Sequence, residues 1–128
     1  MKILRGLRGA TSVASDTEED ILEATKELLQ ALQDKNKFDP SDLVSVFFTA
    51  TPDLNATFPA MAARQLGWTS VPMLGAVEMS VPGAPPRIIR VLLHCYLDIP
   101  PEAIVHVYLR EARQLRPDWA ERQGTLTS

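Results

Sequence analysis

The sequence predicts an α+β fold: a mixed five-stranded sheet with one long helix and one or two short ones. The strand-like and helix-like segments follow the order β-α-β-α-β-β-β, so the late strands are consecutive and do not alternate with helices. Only one segment, from Ile21 to Gln33, sustains a long apolar period of helical type. The later strands also carry more apolar side chains than that one helix can cover.

Taken in order, residues 3–13 read as a strand, with Gly6 and Gly9 bracketing Leu7 and Arg8 where something approaches the backbone closely. Residues 15–20 are an acidic helix start capped by Asp16 or Thr17. Ile21, Thr25, Leu28, Leu29 and Leu32 then recur at helical spacing, opposite Glu23, Lys26, Glu27, Gln30 and Gln33, which predicts an amphipathic helix of about four turns. Asp39-Pro40-Ser41-Asp42 is a cap with proline at the first helical position, opening a single turn. Residues 43–51 form a strand whose near-continuous apolarity implies burial on both faces. After a turn at 52–55, residues 58–66 make a shorter helix that ends at Gly67.

Residues 71–81 read as a strand broken by Pro72 and Gly75, and 83–86 as a stiff turn. Residues 87–97 have the strongest strand composition, 98–102 turn again, and 104–109 make the last strand. Residues 110–118 are a charged helical turn, and about 119–128 a flexible polar tail to a single domain spanning 1–128. Met73, Val77, Met79, Val91, Leu93 and Val107 exceed what the long helix hides, so the second sheet face is expected to be buried in an oligomer.

At 128 residues and 45% apolar, the chain has material for one core. A net charge of −3 leaves no basic footprint for nucleic acid. No apolar run approaches the roughly 20 residues that span a bilayer, and the start is too short and too quickly charged for a signal peptide. Cys95 is the only cysteine, so neither a disulfide framework nor a thiolate metal site is expected. These readings describe a cytoplasmic protein with no membrane or nucleic-acid partner. No phosphate-cradling glycine loop, Ser-His-Asp pattern or metal-spaced His/Cys cluster is present, so neither a cofactor nor a metal is expected. His94 and His106 read as structural or surface histidines, and Trp68 and Trp119 as packing or interface residues.

The cations carry more information. After Lys37 there is no lysine, and the remaining positive charges are arginines at 64, 87, 90, 110, 113, 116 and 122, with Arg5 and Arg8 at the other end. Guanidinium grips carboxylates in planar, bidentate fashion, whereas ammonium acts as a point charge. Arg90 lies within an otherwise apolar strand, where an unpaired charge costs several kcal/mol. Glu78 occupies a similar position among Gly75, Ala76, Val77 and Met79. Two readings follow: a structural ion pair of Glu78 with Arg90 or Arg87, or a site for a small polycarboxylate. An enzyme with such a site and no nucleophile works by electrostatics and conformational restraint.

Residues 5–11 (Arg-Gly-Leu-Arg-Gly-Ala-Thr), Thr51-Pro52-Asp53-Leu54 and Phe58-Pro59-Ala60 resemble the monofunctional chorismate mutases of the trimeric, mixed α/β class. So do Val71-Pro72 with Glu78, Ile89-Arg90-Val91, and His106-Val107-Tyr108-Leu109 followed by Leu115-Arg116-Pro117. The resemblance spans nearly the whole chain and excludes the all-helical class. It implies a homotrimer with inward-facing, barrel-like packed sheets and active sites between subunits. It also implies an isomerase of the shikimate pathway that turns chorismate into prephenate for aromatic amino acid biosynthesis. That Claisen rearrangement involves no covalent intermediate.

By the same resemblance, Arg90 donates to the ether oxygen and a nearby carboxylate, and Glu78 accepts from the ring hydroxyl. Arg8 and Tyr108 hold the enolpyruvyl carboxylate, while Phe58, Ala60 and Leu115 form apolar walls. Arg64 and Arg116 supply positive potential at the mouth, and the Phe58 to Arg64 segment comes from the neighbouring subunit. This chain departs from relatives at Leu74 and Gly75, where polar residues are frequent, and at Met61, where some carry lysine. A non-catalytic trimeric binder of a small carboxylate metabolite is the alternative reading.

Overall fold

A computed structural model describes residues 1–121. The strands are β1 (Ile3–Ser12), β2 (Leu43–Ala50), β3 (Met73–Val77), β4 (Ile88–Leu97) and β5 (Val107–Tyr108), and the helices α1 (Glu18–Asn36) and α2 (Ala60–Gln65). They form one mixed sheet in the order β3-β2-β4-β1-β5. β4 runs antiparallel to both β1 and β2, whereas β2–β3 and β1–β5 are parallel pairs.

Helix α1 is longer than its apolar stripe suggests, at 19 residues and not four turns. Thr17 is its cap, its hydroxyl accepting from the Asp20 N–H, and Lys37 in the left-handed region ends it. The extra turn carries Asn36, a buried amide whose Nδ2 donates to Leu32 O and Val105 O and whose Oδ1 accepts from the Val105 N–H, each at 2.9 Å. This clip diverts the Val105 backbone from the sheet, so the strand expected over 104–109 shrinks to Val107–Tyr108. Replacing Asn36 by leucine leaves two buried backbone groups of Val105 unpaired, which costs about 3 kcal/mol. Melting at fixed protein concentration should fall by about 10 °C; a shift under about 2 °C would show that the clip contributes nothing.

The other boundaries move for local reasons. The strand expected over 71–81 is only Met73–Val77: Pro72 lacks an N–H, and past Val77 the chain runs off the end of β2, with a last bond from Glu78 N–H to Ala50 O. Arg87 falls outside β4 because its φ is 50°, its Nε donating to Val13 O and its N–H to the Asp53 carboxylate. The second helix keeps only Ala60–Gln65 of the expected 58–66, and Gly67 ends it at φ 89°. Pro40–Asp42 is the single capped turn expected there. Arg110–Leu115 is a 3-10 helix, and 117–121 form a further helical turn. The flexible tail expected from about 119 lies, from 122 onward, outside the described residues.

Both helices cover one face of the sheet. Leu28, Leu29 and Leu32 pack there on Leu7, Val46, Phe48, Val91, Leu93 and Val107. Gly9 is required on this face: a Cβ would stand 3.0 Å from Leu28 Cδ1, 3.0 Å from Val107 O and 3.1 Å from Leu32 Cδ1. Within the chain, β2 is therefore buried on one side only, with Phe47 and Val44 exposed. On the opposite face Ala112, Leu115, Trp119 and Ala120 cover only the end that carries Ala10, Ile88 and Tyr108, and the rest is open among the described residues. A row of register partners there runs Arg8, Leu92, Phe47, Leu74, and its three apolar members are 38%, 41% and 64% exposed in that order.

Candidate active site

The next row on the open face assembles the site. Tyr108 aligns with Ala10, Ala10 with Arg90, and Arg90 with Thr49. Ala10 has the smallest side chain in the row, so it spaces Tyr108 and Arg90 without filling the gap between them. Glu78, one residue past β3, turns back toward β4, where its Oε2 meets Arg90 Nε in an ion pair. The contact is a charge pair and not an aligned hydrogen bond. Thr49 Oγ1 donates to the same Oε2 at 3.2 Å, and the Met79 N–H donates to Oε1 at 3.1 Å. Both carboxylate oxygens are thus held by their own chain.

A cleft of about 300 Å³ opens beside this pair. Arg90, Glu78 and Thr51 form its polar end, and Met79, Val81 and Leu115 its apolar wall. The Arg90 side chain stays 36% exposed, so the ion pair does not close the guanidinium off from a ligand. Its size lies at the small-metabolite end of the usual range. Burial pushes the Tyr108 phenol above its ordinary range, while the positive charges of Arg8, Arg116 and Arg90 act in the opposite direction. Three guanidinium groups thus act electrostatically on one phenol.

The C-terminal residues frame that phenol. Arg116 binds Asp118 through Nε and Nη2 at 3.1 and 2.9 Å, and its guanidinium carbon sits 3.5 Å from the Trp119 ring centroid. Trp119 stacks on His106 at 4.1 Å, and His106 Nδ1 accepts the Arg8 backbone N–H at 3.0 Å. His106 is thus a structural histidine, as is His94, whose Nδ1 lies 2.9 Å from Ser45 Oγ. Cys95 is buried, and burial pushes its thiol up to about 12.

Of the expected site residues, Glu78, Arg90 and Leu115 line this cleft, whereas Arg8, Tyr108 and Arg116 gather around Trp119 and are not part of its lining. Phe58, Ala60, Met61 and Arg64 lie on or before α2, on the helix-covered side, and do not line this cleft among the described residues. Phe58 is 76% exposed, and Arg64 Nη1 approaches Met61 Sδ at 3.6 Å. Leu74 and Gly75 lie on edge strand β3, also outside the cleft lining, and no atom lies within 4 Å of where a Gly75 Cβ would be. Sequence reasoning passed over Thr49 and Thr51, whose hydroxyls reach Glu78 and the Asp53 carboxylate. The available signals were the place of Thr49 beside the apolar positions of β2 and that of Thr51 at the head of the Thr51-Pro52-Asp53-Leu54 motif.

Fold and site together place arginines, a glutamate and a buried tyrosine at the end of a mixed sheet, a charge arrangement of the class that suits a small polyanion. The sequence model of the family described as chorismate mutase type I matches residues 4–119. Chorismate mutase AroH of Bacillus subtilis (strain 168) is 45% identical over 124 residues, covering 96% of this chain and 98% of that protein. Chorismate mutase AroH of Thermus thermophilus is 48% identical over 122 residues, covering 94% and 100%. A solved chorismate mutase structure from Clostridium thermocellum superposes with a TM-score of 0.85 at 41% identity, over 86% of this chain and 98% of that one. The chain belongs to the type I chorismate mutase family. The non-catalytic binder finds no support among these relatives, each of which is named for its catalysis.

Proposed function

We propose that this chain rearranges chorismate to prephenate in the cleft beside Arg90 and Glu78, as an isomerase of aromatic amino acid biosynthesis. The observation that carries this reading is the partly exposed Arg90–Glu78 pair lining a cleft of about 300 Å³, with the charges of Arg8 and Arg116 felt at Tyr108 nearby. The reaction is intramolecular. The ether C–O bond breaks as a C–C bond forms from the enolpyruvyl methylene to the ring, and no proton, electron or group enters or leaves.

What the protein must supply is restraint and charge. Arg8, with the Tyr108 phenol, holds the enolpyruvyl carboxylate so that the two reacting carbons stay in contact. Arg90 donates to the ether oxygen as negative charge gathers there, an interaction stronger in the transition state than in the ground state. Glu78, kept in place by Thr49 and the Met79 N–H, accepts from the ring hydroxyl and faces the fragment that becomes positive. Leu115 closes the apolar side.

The working unit is a homotrimer with sites between subunits. Phe47, Leu74 and Leu92 offer an apolar surface of the sort that a second copy covers, and Phe58, Ala60, Met61 and Arg64 complete a neighbour's cleft. Arg64 and Arg116 attract the dianion at the mouth, Leu74 and Gly75 border it from the sheet edge, and Met61 adds no charge there. No described helix is long and apolar enough to cross a membrane, and we read the enzyme as cytoplasmic.

Incubating the purified protein with chorismate, while following loss of its ultraviolet absorbance and appearance of prephenate, tests the reading directly; absence of prephenate would end it. The kcat profile should be flat between about pH 6 and 9, since no group transfers a proton. Tyr108 fits this: its raised value means that the proton is held below the ordinary phenol range and lost only as pH climbs through and beyond it. A bell centred near neutrality would implicate His94 or His106 instead.

A further inference from the structure

We infer that Trp119 is a positioning residue for two of the site's cations, its ring acting on the guanidinium groups of Arg8 and Arg116. The inference rests on the proposed function and extends it to a residue that the sequence reading left as packing or interface.

Trp119 closes a circuit of contacts. The Arg8 backbone N–H donates to His106 Nδ1, the imidazole stacks on the indole at an interplanar angle of 22°, and the Arg8 guanidinium carbon returns to within 5.5 Å of the indole centroid. Arg116 approaches the same ring at 3.5 Å. The ring is itself anchored, because neighbouring Ala120 is buried, its N–H donating to Arg116 O and its carbonyl accepting from Arg113 Nη2. Tyr108, the phenol on which both arginines act, lies 6.0 Å from the indole.

The geometry suits carboxylate binding. A guanidinium stacks through its flat face, and its N–H edge stays available for a bidentate carboxylate. Arg116 does both at once here, with its face on Trp119 and its edge on the Asp118 carboxylate. Trp119 therefore removes rotational freedom from two long side chains before substrate arrives, which lowers the ordering cost of binding. Because the carboxylates do not change in the rearrangement, that help is the same in ground and transition states. It belongs in KM and not in kcat.

The test compares Trp119→Leu with Trp119→Phe in steady-state assays on chorismate. Leucine keeps apolar bulk without a π face and should raise KM about tenfold, with kcat changed by less than about threefold. Phenylalanine keeps a π face and should bring KM back to within about threefold of wild type. Trp119 also reports on itself: prephenate titrated into wild type should change the emission excited at the red edge, and Trp119→Phe, retaining only the buried Trp68, should lose that change. The wild-type assay reads the reaction separately from the variants. Active wild type with an unchanged KM in Trp119→Leu would overturn the positioning role and leave the reaction standing. Equal losses in both variants, or wild-type emission indifferent to saturating prephenate, would overturn it as well.

Discussion

Arg90→Ala should lower kcat at least about a hundredfold while the protein keeps its assembly and near-native melting. Arg90 is a charge retained as the third residue of β4, flanked by buried Ile89 and Val91, so the strand tolerates it only because it faces outward onto Glu78 and the cleft. If its guanidinium donates to the ether oxygen, the interaction grows as the bond breaks, which is the condition for raising kcat. Removing one donor from such a site costs about 3 kcal/mol, which corresponds to about a hundredfold in rate. Arg90→Lys should rescue poorly, since a single-point donor cannot span ether oxygen and carboxylate together. Removing Arg90 also strips Glu78 of its ionic partner, so Glu78→Gln should accompany the series to separate the two losses. A well-folded Arg90→Ala with kcat within tenfold of wild type would make the pair structural and refute the mechanism.

Phe47→Asp should dissociate the enzyme and abolish activity, although Phe47 does not line the cleft beside Arg90 and Glu78. Phe47 is 41% exposed in the single chain and its ring packs edge-on against His94, so a carboxylate there leaves the core around α1 intact. In a trimer that buries this face, each subunit would instead carry an unpaired buried charge, a penalty of several kcal/mol per copy. Sedimentation equilibrium should show a monomer at about 10 µM with a native-like circular dichroism spectrum, and kcat/KM should drop at least about a thousandfold once Phe58 to Arg64 leave the neighbour's cleft. A variant that remains a trimer would move the interface elsewhere. A monomer keeping a tenth of the activity would show that the site is complete within one chain.

Local signals were readable where the physics is local. The Ile21–Leu32 stripe, the Thr17 cap and the Asp39–Pro40 turn each depend on residues a few positions apart, and each appears in the structure. The Arg90–Glu78 pair was legible for a different reason: charges inside apolar strands must answer to something, although pattern could not choose between Arg87 and Arg90. Illegible features were those decided across the chain. The last strand is short because Asn36 captures Val105, 69 positions away in sequence. Trp119 looked like generic packing because Arg8 and His106, which give it a purpose, lie elsewhere in the sequence. No periodicity marks Ala10 as a spacer, because its meaning lies in the register between Tyr108 and Arg90.

The strand order has a kinetic consequence. β1 pairs only with β4 and β5, in a register that sets Ile3 opposite Leu97, and β2 reaches β1 only through β4. A chain emerging from the ribosome can form α1 early, but β1 has no strand to pair with until about three-quarters of the residues are made. Closing such long loops must precede any reward from pairing, so folding should be slow for a chain of this size, with β4 as the gatekeeping segment. Arg90 lies in that segment, so the strand that joins β1 to the β2–β3 pair also delivers the residue on which the proposed chemistry turns.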